Sequence, residues 1–380
     1  MGKPFFNRFE KKLKIVHADT DDIDNPLGGG QPVRTYEINR RLARKHDIQV
    51  FTAVYNGSLE LKRDAVKYKR LGFYIKPFGL SPHISFLSLL GPRIVYTPHD
   101  LVIEEFMPPV GFCMTSLWTT KPVISIIQWY FFKYWEKKYR LPFKKIMKIV
   151  AGTGLYKYFI VQSDAMGYEI KKYISGAVIK KIPCGINQSE FIKSPTYGNF
   201  ALFLGRLDMH QKGLAMLVRI WKIISSSKKI PLVIAGDGPA RRRLESDFAK
   251  AGISDLITFA GRVTGIEKER LLATCRFMVM PSREETFGMT ALEAMAAAKP
   301  VVIFDIDNLN EVVRPEWGEL ADKFDTDFFA DIVKKLWENT EYCKHKGANA
   351  AIAAKKYLWD NLAGMQNDFY CNVVQKKYEI

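Results

Sequence analysis

Short apolar runs recur along this chain and alternate with longer stretches of helical periodicity. LKIVHA (13–18) and IQVFTAV (48–54) read as buried strands, separated by the polar, Gly-rich loop DTDDIDNPLGGGQPV and the helical TYEINRRLARKH. RIVYT (93–97), DLVIEE (100–105), PVISIIQ (122–128) and YFIVQS (158–163) continue the series. Strands alternating with helices predict a parallel sheet covered on both faces. The polar, Pro/Gly-containing IKSPTYGN (192–199) then reads as a hinge, after which the rhythm restarts. FALFLGRL (200–207), PLVIAGDG (231–238), LITFAGRV, FMVMPS and PVVIF form a second set of strands. LAMLVRIWKII is an amphipathic helix, and PARRRLESDFAKA opens with Pro in its first turn. The expected architecture is α/β, two doubly wound domains in tandem, with ligands in the cleft where strand C-termini face each other.

The chain's 380 residues suffice for two such domains, and 47% hydrophobic and 26% charged residues are globular values. No apolar run reaches the ~18–20 residues that span a bilayer. The opening MGKPFFNRFEKKLKIV lacks the apolar core and cleavage site of a signal peptide, and Phe6 breaks the myristoylation pattern. Five cysteines (Cys113, Cys184, Cys275, Cys343, Cys371) are scattered and never spaced C-x-x-C. That argues against a zinc site or a disulfide framework, and for a reducing, cytoplasmic setting. The net charge of +17 calls for an anionic partner, and the excess concentrates before residue 185.

The densest chemistry lies in PSREETFGMTALEAMAAAKPVV (281–302). It follows a strand, so Phe287, Gly288, Met289 and Thr290 open a helix at that strand's C-terminal end. A helix N-terminus carries roughly half a positive charge and unpaired donors, which suits a phosphate. Glu285 lies just outside that end and Glu293 eight positions later, about two turns, which predicts both carboxylates near one helix face. Carboxylates suit vicinal sugar hydroxyls. Taken alone, Glu285 is equally a partner for the helix dipole, whereas Glu293 stands among alanines, where a buried charge needs partners.

In LFLGRLDMHQKGL, Gly205 and Arg206 end a strand and Lys212 follows a short loop. The two cations could clamp a diphosphate, Arg in bidentate fashion and Lys as a point charge, or simply be solvated. In AGDGP (235–239), Gly236 and Gly238 let backbone approach a ligand, with Arg262 on the neighbouring loop GRVTGIEKE. This is not the dinucleotide fingerprint, because Pro-Ala-Arg follows G-x-G. An NAD-dependent oxidoreductase is disfavoured on that ground. Gly29 and Gly30, in the glycine triplet after the first strand, could close over a ligand or form a plain flexible loop.

In order, GGGQPV, IPCGINQSEF, GRLDMHQKG, VIAGDGP, FAGRV and PSREETFGMTALEAMAAAKPVV resemble the retaining nucleotide-sugar glycosyltransferases of family 4, of the GT-B fold. The resemblance covers essentially the whole chain, and its most specific element is E-x7-E, Glu285 to Glu293. It implies two Rossmann-like domains facing across a cleft: an acceptor-binding domain (1–191) and a nucleotide-sugar-binding domain (199–358). A C-terminal helix (about 360–380) would cross back to the first domain. It implies that Arg206 and Lys212 hold the donor diphosphate and stabilise the departing nucleoside diphosphate. Glu285 would contact donor-sugar hydroxyls, Glu293 the ribose, and the amides of residues 287–290 the phosphate. No metal and no other cofactor is expected. The implied reaction moves a hexose from a UDP- or GDP-sugar to a hydroxyl of a glycan or lipid-linked acceptor.

The sequence departs from the family at Gln128, where many members carry His, and at Cys184 and Asn187, where Asn and Asp are usual. Gln can hydrogen-bond but cannot act as a base. This keeps open a silent nucleotide-sugar or glycan binder of the same fold. FFKYWEKKYRLPFKKIMKIV (131–150) interleaves aromatics with cations, which suits an anionic membrane surface as well as a solvated helical face. No nucleic-acid motif accompanies the charge, so nucleic acid is not expected as a partner. The expected location is cytoplasmic, peripheral on the inner face of the cytoplasmic membrane.

Overall fold

The computed structural model describes residues 11–25, 30–73, 81–105, 114–128 and 152–378, with a few isolated positions between 136 and 149. The chain divides into two compact units, one of residues 1–183 and 359–380 and the other of residues 184–358.

The first unit is built on an eight-stranded sheet. Its strands are β1 (Lys14–Ala18), β2 (Asp47–Ala53), β3 (Leu61–Arg63), β4 (Val66–Leu71), β5 (Leu101–Glu105), β6 (Val123–Ile127), β7 (Tyr158–Val161) and β8 (Val178–Lys181). Their order is β3-β4-β2-β1-β5-β6-β7-β8. Every described pairing is parallel except β3 with β4. Strand order reverses direction between β1 and β5, which makes their C-terminal ends the switch point of this sheet. Helix α1 (Gly30–Leu42) follows the Gly-rich loop. Helix α2 (Ser81–Val95) buries Phe86, Leu90 and Ile94 against Val16, Phe51 and Val102. Helix α3 (Asp164–Tyr173) starts at Ser163, whose hydroxyl accepts from the Met166 amide at 3.1 Å.

Two elements differ from the sequence reading. RIVYT was expected as a strand, but Arg93, Ile94 and Val95 form the last turn of α2. A short apolar run has no period of its own, and here the helical spacing of Phe86, Leu90 and Ile94 decides it. Residues 61–71, where the sequence reading placed no strand, form the antiparallel hairpin β3–β4. Its two-residue loop, Asp64–Ala65, has φ of 47° and 66°. Both central residues at positive φ match the hairpin's right-handed twist, the turn that Asn-Gly usually signals.

The second unit has β9 (Ala201–Leu204), β10 (Leu232–Ala235), β11 (Ile257–Gly261), β12 (Phe277–Met280), β13 (Val301–Phe304) and β14 (Glu319–Ala321). Their order is β11-β10-β9-β12-β13-β14, all parallel. β9, β12 and β13 are buried at every position, as strands covered on both faces must be. The switch point falls between β9 and β12. The helices are α4 (Leu214–Ser225), α5 (Arg241–Ala251), α6 (Gly265–Thr274), α7 (Met289–Ala296), α8 (Thr326–Glu338) and α9 (Thr340–Ala354).

The chain then returns to the first unit as α10 (Trp359–Val374), which packs on α1. Gln366 accepts from the fully buried Arg34 guanidinium at 2.9 Å, and Arg34 also reaches the Ile182 carbonyl at 3.3 Å. His46 pairs with Asn367 at 2.7 Å, and Arg41 with Asp360 at 3.0 Å.

Candidate active site

In the second unit, the residues singled out in the sequence gather where β9 and β12 end. After β9, Gly205 and Arg206 lead through a loop to Lys212 and Gly213, which begins α4. Gly213 has φ 62°, and a Cβ there would stand 1.9 Å from the Pro281 carbonyl oxygen. Only glycine lets these two loops close to that degree. The approach brings Lys212 to Glu285: Nζ and Oε1 form an ion pair with 14% and 7% of the side chains exposed. Ser282 Oγ donates to the same Glu285 oxygen at 2.9 Å, and Asn308 Nδ2 donates to the Glu285 carbonyl at 2.8 Å. Asn308 adopts φ 70° to do so. A Cβ on Gly205 would lie 3.7 Å from Lys212 Cε, so the lysine stem passes over the end of β9. Arg206 is different, with its side chain 62% exposed and, among the described residues, held by Gln211 Oε1 at 3.0 Å and Asp208 at 3.7 Å. One cation is therefore paired and largely dry, while the other stands mostly in solvent.

Gly288, at φ 92°, precedes α7 and tucks against Leu309, so the first-turn amides of this helix carry no side chain in front of them at its start. Phe287 is buried edge-on against Tyr357, Met289 is half-buried, and Thr290 presents a buried hydroxyl with no hydrogen-bond partner among the described residues. Because α7 begins only at Met289, Glu285 lies in the preceding loop, so the two glutamates are not both on the helix. Each has its own cation instead. Glu293, inside α7, pairs with Lys268 of α6 at 3.0 Å. Burial pushes the Glu293 carboxyl up, Lys268 draws it down, and Glu190 adds to the rise. Sequence reasoning did not find Lys268, because nothing in GRVTGIEKE distinguishes one surface lysine from another. Gly236 and Gly238 sit on the turn after β10, where the Gly236 amide donates to Gly261 and the Leu207 amide to Asp237. Their closest neighbours are the backbones of Gly205 and Leu207. Arg262 is exposed beside them.

The residues expected on the acceptor side belong to the first unit. Gly30 starts α1, while Gly29 lies outside the described residues, as does most of 131–150. Gln128, after β6, is buried, donating through Nε2 to Glu105 at 2.7 Å and accepting at Oε1 from Gln162 at 3.4 Å. It is one link of a buried network at the β1/β5 switch point that the sequence did not disclose. His17 Nε2 meets Glu105 Oε1 at 3.2 Å, and His17 Nδ1 faces the Asn39 amide at 2.9 Å. Asp19 accepts from Thr35 at 2.7 Å and Gln31 at 2.8 Å. Burial, with repulsion from Glu105 next, pushes the Asp19 carboxyl up to about 7. His17, Asp19 and Glu105 offer ligand atoms within 4.8 Å of one another, a set with the composition for a divalent cation, though hydrogen bonds already engage its members.

Two mostly parallel, doubly wound sheets with a C-terminal helix returned to the first define the GT-B fold. Sucrose-phosphate synthase from Thermosynechococcus elongatus superposes with a TM-score of 0.79 at 18% identity, over 96% of this chain and 100% of that one. HepE from Anabaena, solved with UDP and glucose, superposes with a TM-score of 0.74 at 16% identity, over 94% and 99%. Residues 28–190 match the family described as Glycosyltransferase Family 4, and residues 186–352 match Glycosyl transferases group 1. The chain belongs to the group 1/family 4 glycosyltransferases. An uncharacterised glycosyltransferase of Methanocaldococcus jannaschii is 30% identical over 219 residues, 56% of this chain and 60% of that relative. The chain thus matches less than two thirds of the length of such curated relatives.

Proposed function

We propose that this protein transfers a hexose, with retained anomeric configuration, from a UDP- or GDP-linked donor to a hydroxyl of a glycan or lipid-linked acceptor. The observation that carries the reading is the presence of a largely buried, paired cation, Lys212, and a solvent-exposed one, Arg206, on the loop after β9 at the β9/β12 switch point. A diphosphate placed there meets two positive side chains and a helix N-terminus, and charge developing on the leaving phosphate is stabilised without solvent reorganisation. The bond from the sugar's anomeric carbon to the diphosphate oxygen breaks, the acceptor oxygen bonds that carbon, and the acceptor's proton passes to the leaving phosphate. Glu285, held by Lys212 and Ser282, has an acceptor oxygen for sugar hydroxyls, and Glu293 for the ribose. Residues 205–213 and 282–293 do this electrostatic work, and no metal is required. HepE, solved with UDP and glucose, supports a uridine donor by kinship of fold.

A silent nucleotide-sugar binder is the second reading, favoured by one feature: both ends of the Gln128 amide are occupied within the first unit. A thermal-shift panel with UDP, GDP and ADP, without metal, separates the possibilities from a protein that binds no nucleotide. A ligand at ~100 times its Kd adds ~2.7 kcal/mol. Stabilisation by one nucleotide, lost in Arg206→Ala, supports the donor site, and no shift with any of them refutes it. Slow donor hydrolysis that Glu285→Ala abolishes then separates enzyme from binder. The membrane is proposed as the place where a lipid-linked acceptor is met.

A further inference from the structure

The first unit carries an apolar stripe bordered by lysines that the transfer chemistry does not use. The outward side of α2 leaves Ile84 65% exposed, Leu89 45% and Val95 55%, and Tyr96, which follows it, 83%. Ile84, Ser88, Pro92 and Val95–Tyr96 are spaced at successive helical turns and form one line. Leu117 and Trp118, at the short 3-10 turn Thr115–Leu117, widen it. The Trp118 indole lies against α2 at Gly91, where a Cβ would come within 2.2 Å of the ring.

The hairpin beside α2 supplies the charge. Leu71 of β4 packs into the core beneath α2, so Lys69 and Lys67, two and four residues before it, project from that same sheet face. Lys62 of β3 lies directly opposite Lys67 and shares the face. Arg93 and Lys121 add further cations, and residues 81–96 and 114–121 contain no acidic residue. Asp47, at the foot of β2, is taken up by Lys12 at 2.9 Å.

We infer that this face docks on an anionic lipid bilayer, with α2 and Trp118 seated at the headgroup–acyl boundary and Lys62, Lys67 and Lys69 on the lipid charges. An exposed apolar strip edged by cations, with aromatic side chains at its margin, has the composition of an interfacial anchor. A second copy meeting this face would bring two basic surfaces together, whereas an anionic bilayer complements the charge. The inference rests on the membrane part of the proposed function, to which it gives a surface distinct from 131–150, and it is independent of the donor chemistry.

Co-sedimentation of the full chain with phosphatidylcholine vesicles, with and without phosphatidylglycerol, tests it. Wild type should bind the anionic vesicles, salt-sensitively, and the neutral ones weakly. Each lysine near an anionic surface is worth about fivefold in partitioning, so Lys62→Gln/Lys67→Gln/Lys69→Gln should lose about 100-fold. Val95→Glu/Tyr96→Glu, and the milder Val95→Gln, should also weaken binding. Lys171→Gln/Lys172→Gln, in α3 at the opposite edge of the sheet, should cost at most about fivefold. Equal binding to neutral vesicles, patch variants that bind like wild type, or a distal pair that loses as much as the triple would each overturn the proposal. The nucleotide thermal shift, measured on every variant, reports whether the variant is folded. Its survival alongside failed lipid binding removes the docking surface and leaves the donor reading standing. Its absence in wild type with lipid binding intact does the reverse.

Discussion

Replacing Lys212 with methionine tests the arrangement at the β9/β12 switch point. The substitution keeps the stem and removes the ammonium, leaving the Glu285 carboxylate, among the described residues, with the Ser282 hydroxyl and 7% of its side chain in water. Breaking a buried pair from one side costs ~3–5 kcal/mol, and the surviving hydroxyl sets the expectation at the lower end, about 3 kcal/mol. Glu285→Gln is not the mirror image. Lys212 keeps 14% exposure on a flexible stem, so its ammonium can turn to water, and the expected cost is about 1 kcal/mol. In Lys212→Met/Glu285→Gln no charge is stranded, and the double variant should recover about 2 kcal/mol relative to the lysine variant alone. Hydrogen exchange on peptides from β9 and β12, across a urea series, isolates the second unit in a chain that need not unfold in one step. Additive single effects, or a lysine variant within about 0.5 kcal/mol of wild type, would refute a coupled buried pair.

Two further expectations concern titration. Asp19 has its folded carboxyl raised from 3.8 to about 7, so its contribution favours the fold below the ordinary carboxylate range and fades as pH rises through 7. Asp19→Asn should therefore flatten the fall in stability of the first unit between pH 4 and about 7. An unchanged pH slope in urea melts would show that Asp19 does not carry that proton. In the second unit, Lys268 holds down a Glu293 carboxyl that burial raises. Lys268→Met should move the acidic limb of the pH profile for UDP binding upward, whereas loss of affinity equal at all pH values would point to packing alone.

What the sequence disclosed and what it withheld divide along physical lines. β1, β2, β5, β6 and β7 of the first sheet were legible because continuous apolar strands stand out between helices. RIVYT was misread because a short apolar run carries no period, and the end of a helix looks the same as a strand. The β3–β4 hairpin escaped because its turn is Asp-Ala and its strands are rich in lysine, as sheet edges often are. Arg206, Lys212, Glu285 and Glu293, the residues proposed for the donor side, could be picked out because they cluster in chain segments of recognisable order. Their partners were not: Lys268 of α6 meets Glu293 of α7 from 25 residues away in the chain. His17 and Glu105 are 88 residues apart and meet only because β1 pairs with β5. Contacts made by strand pairing leave no local trace.

The return of α10 to α1 has a consequence for the order in which the protein is made. Residues 184–358 are complete as a unit before Trp359 is synthesised, so the second unit can close while the first still lacks its last helix. Until Gln366 arrives, the guanidinium of Arg34 lacks its side-chain acceptor, and the apolar flank of α1 lacks its cover. The half that emerges first from the ribosome is therefore the half that finishes last.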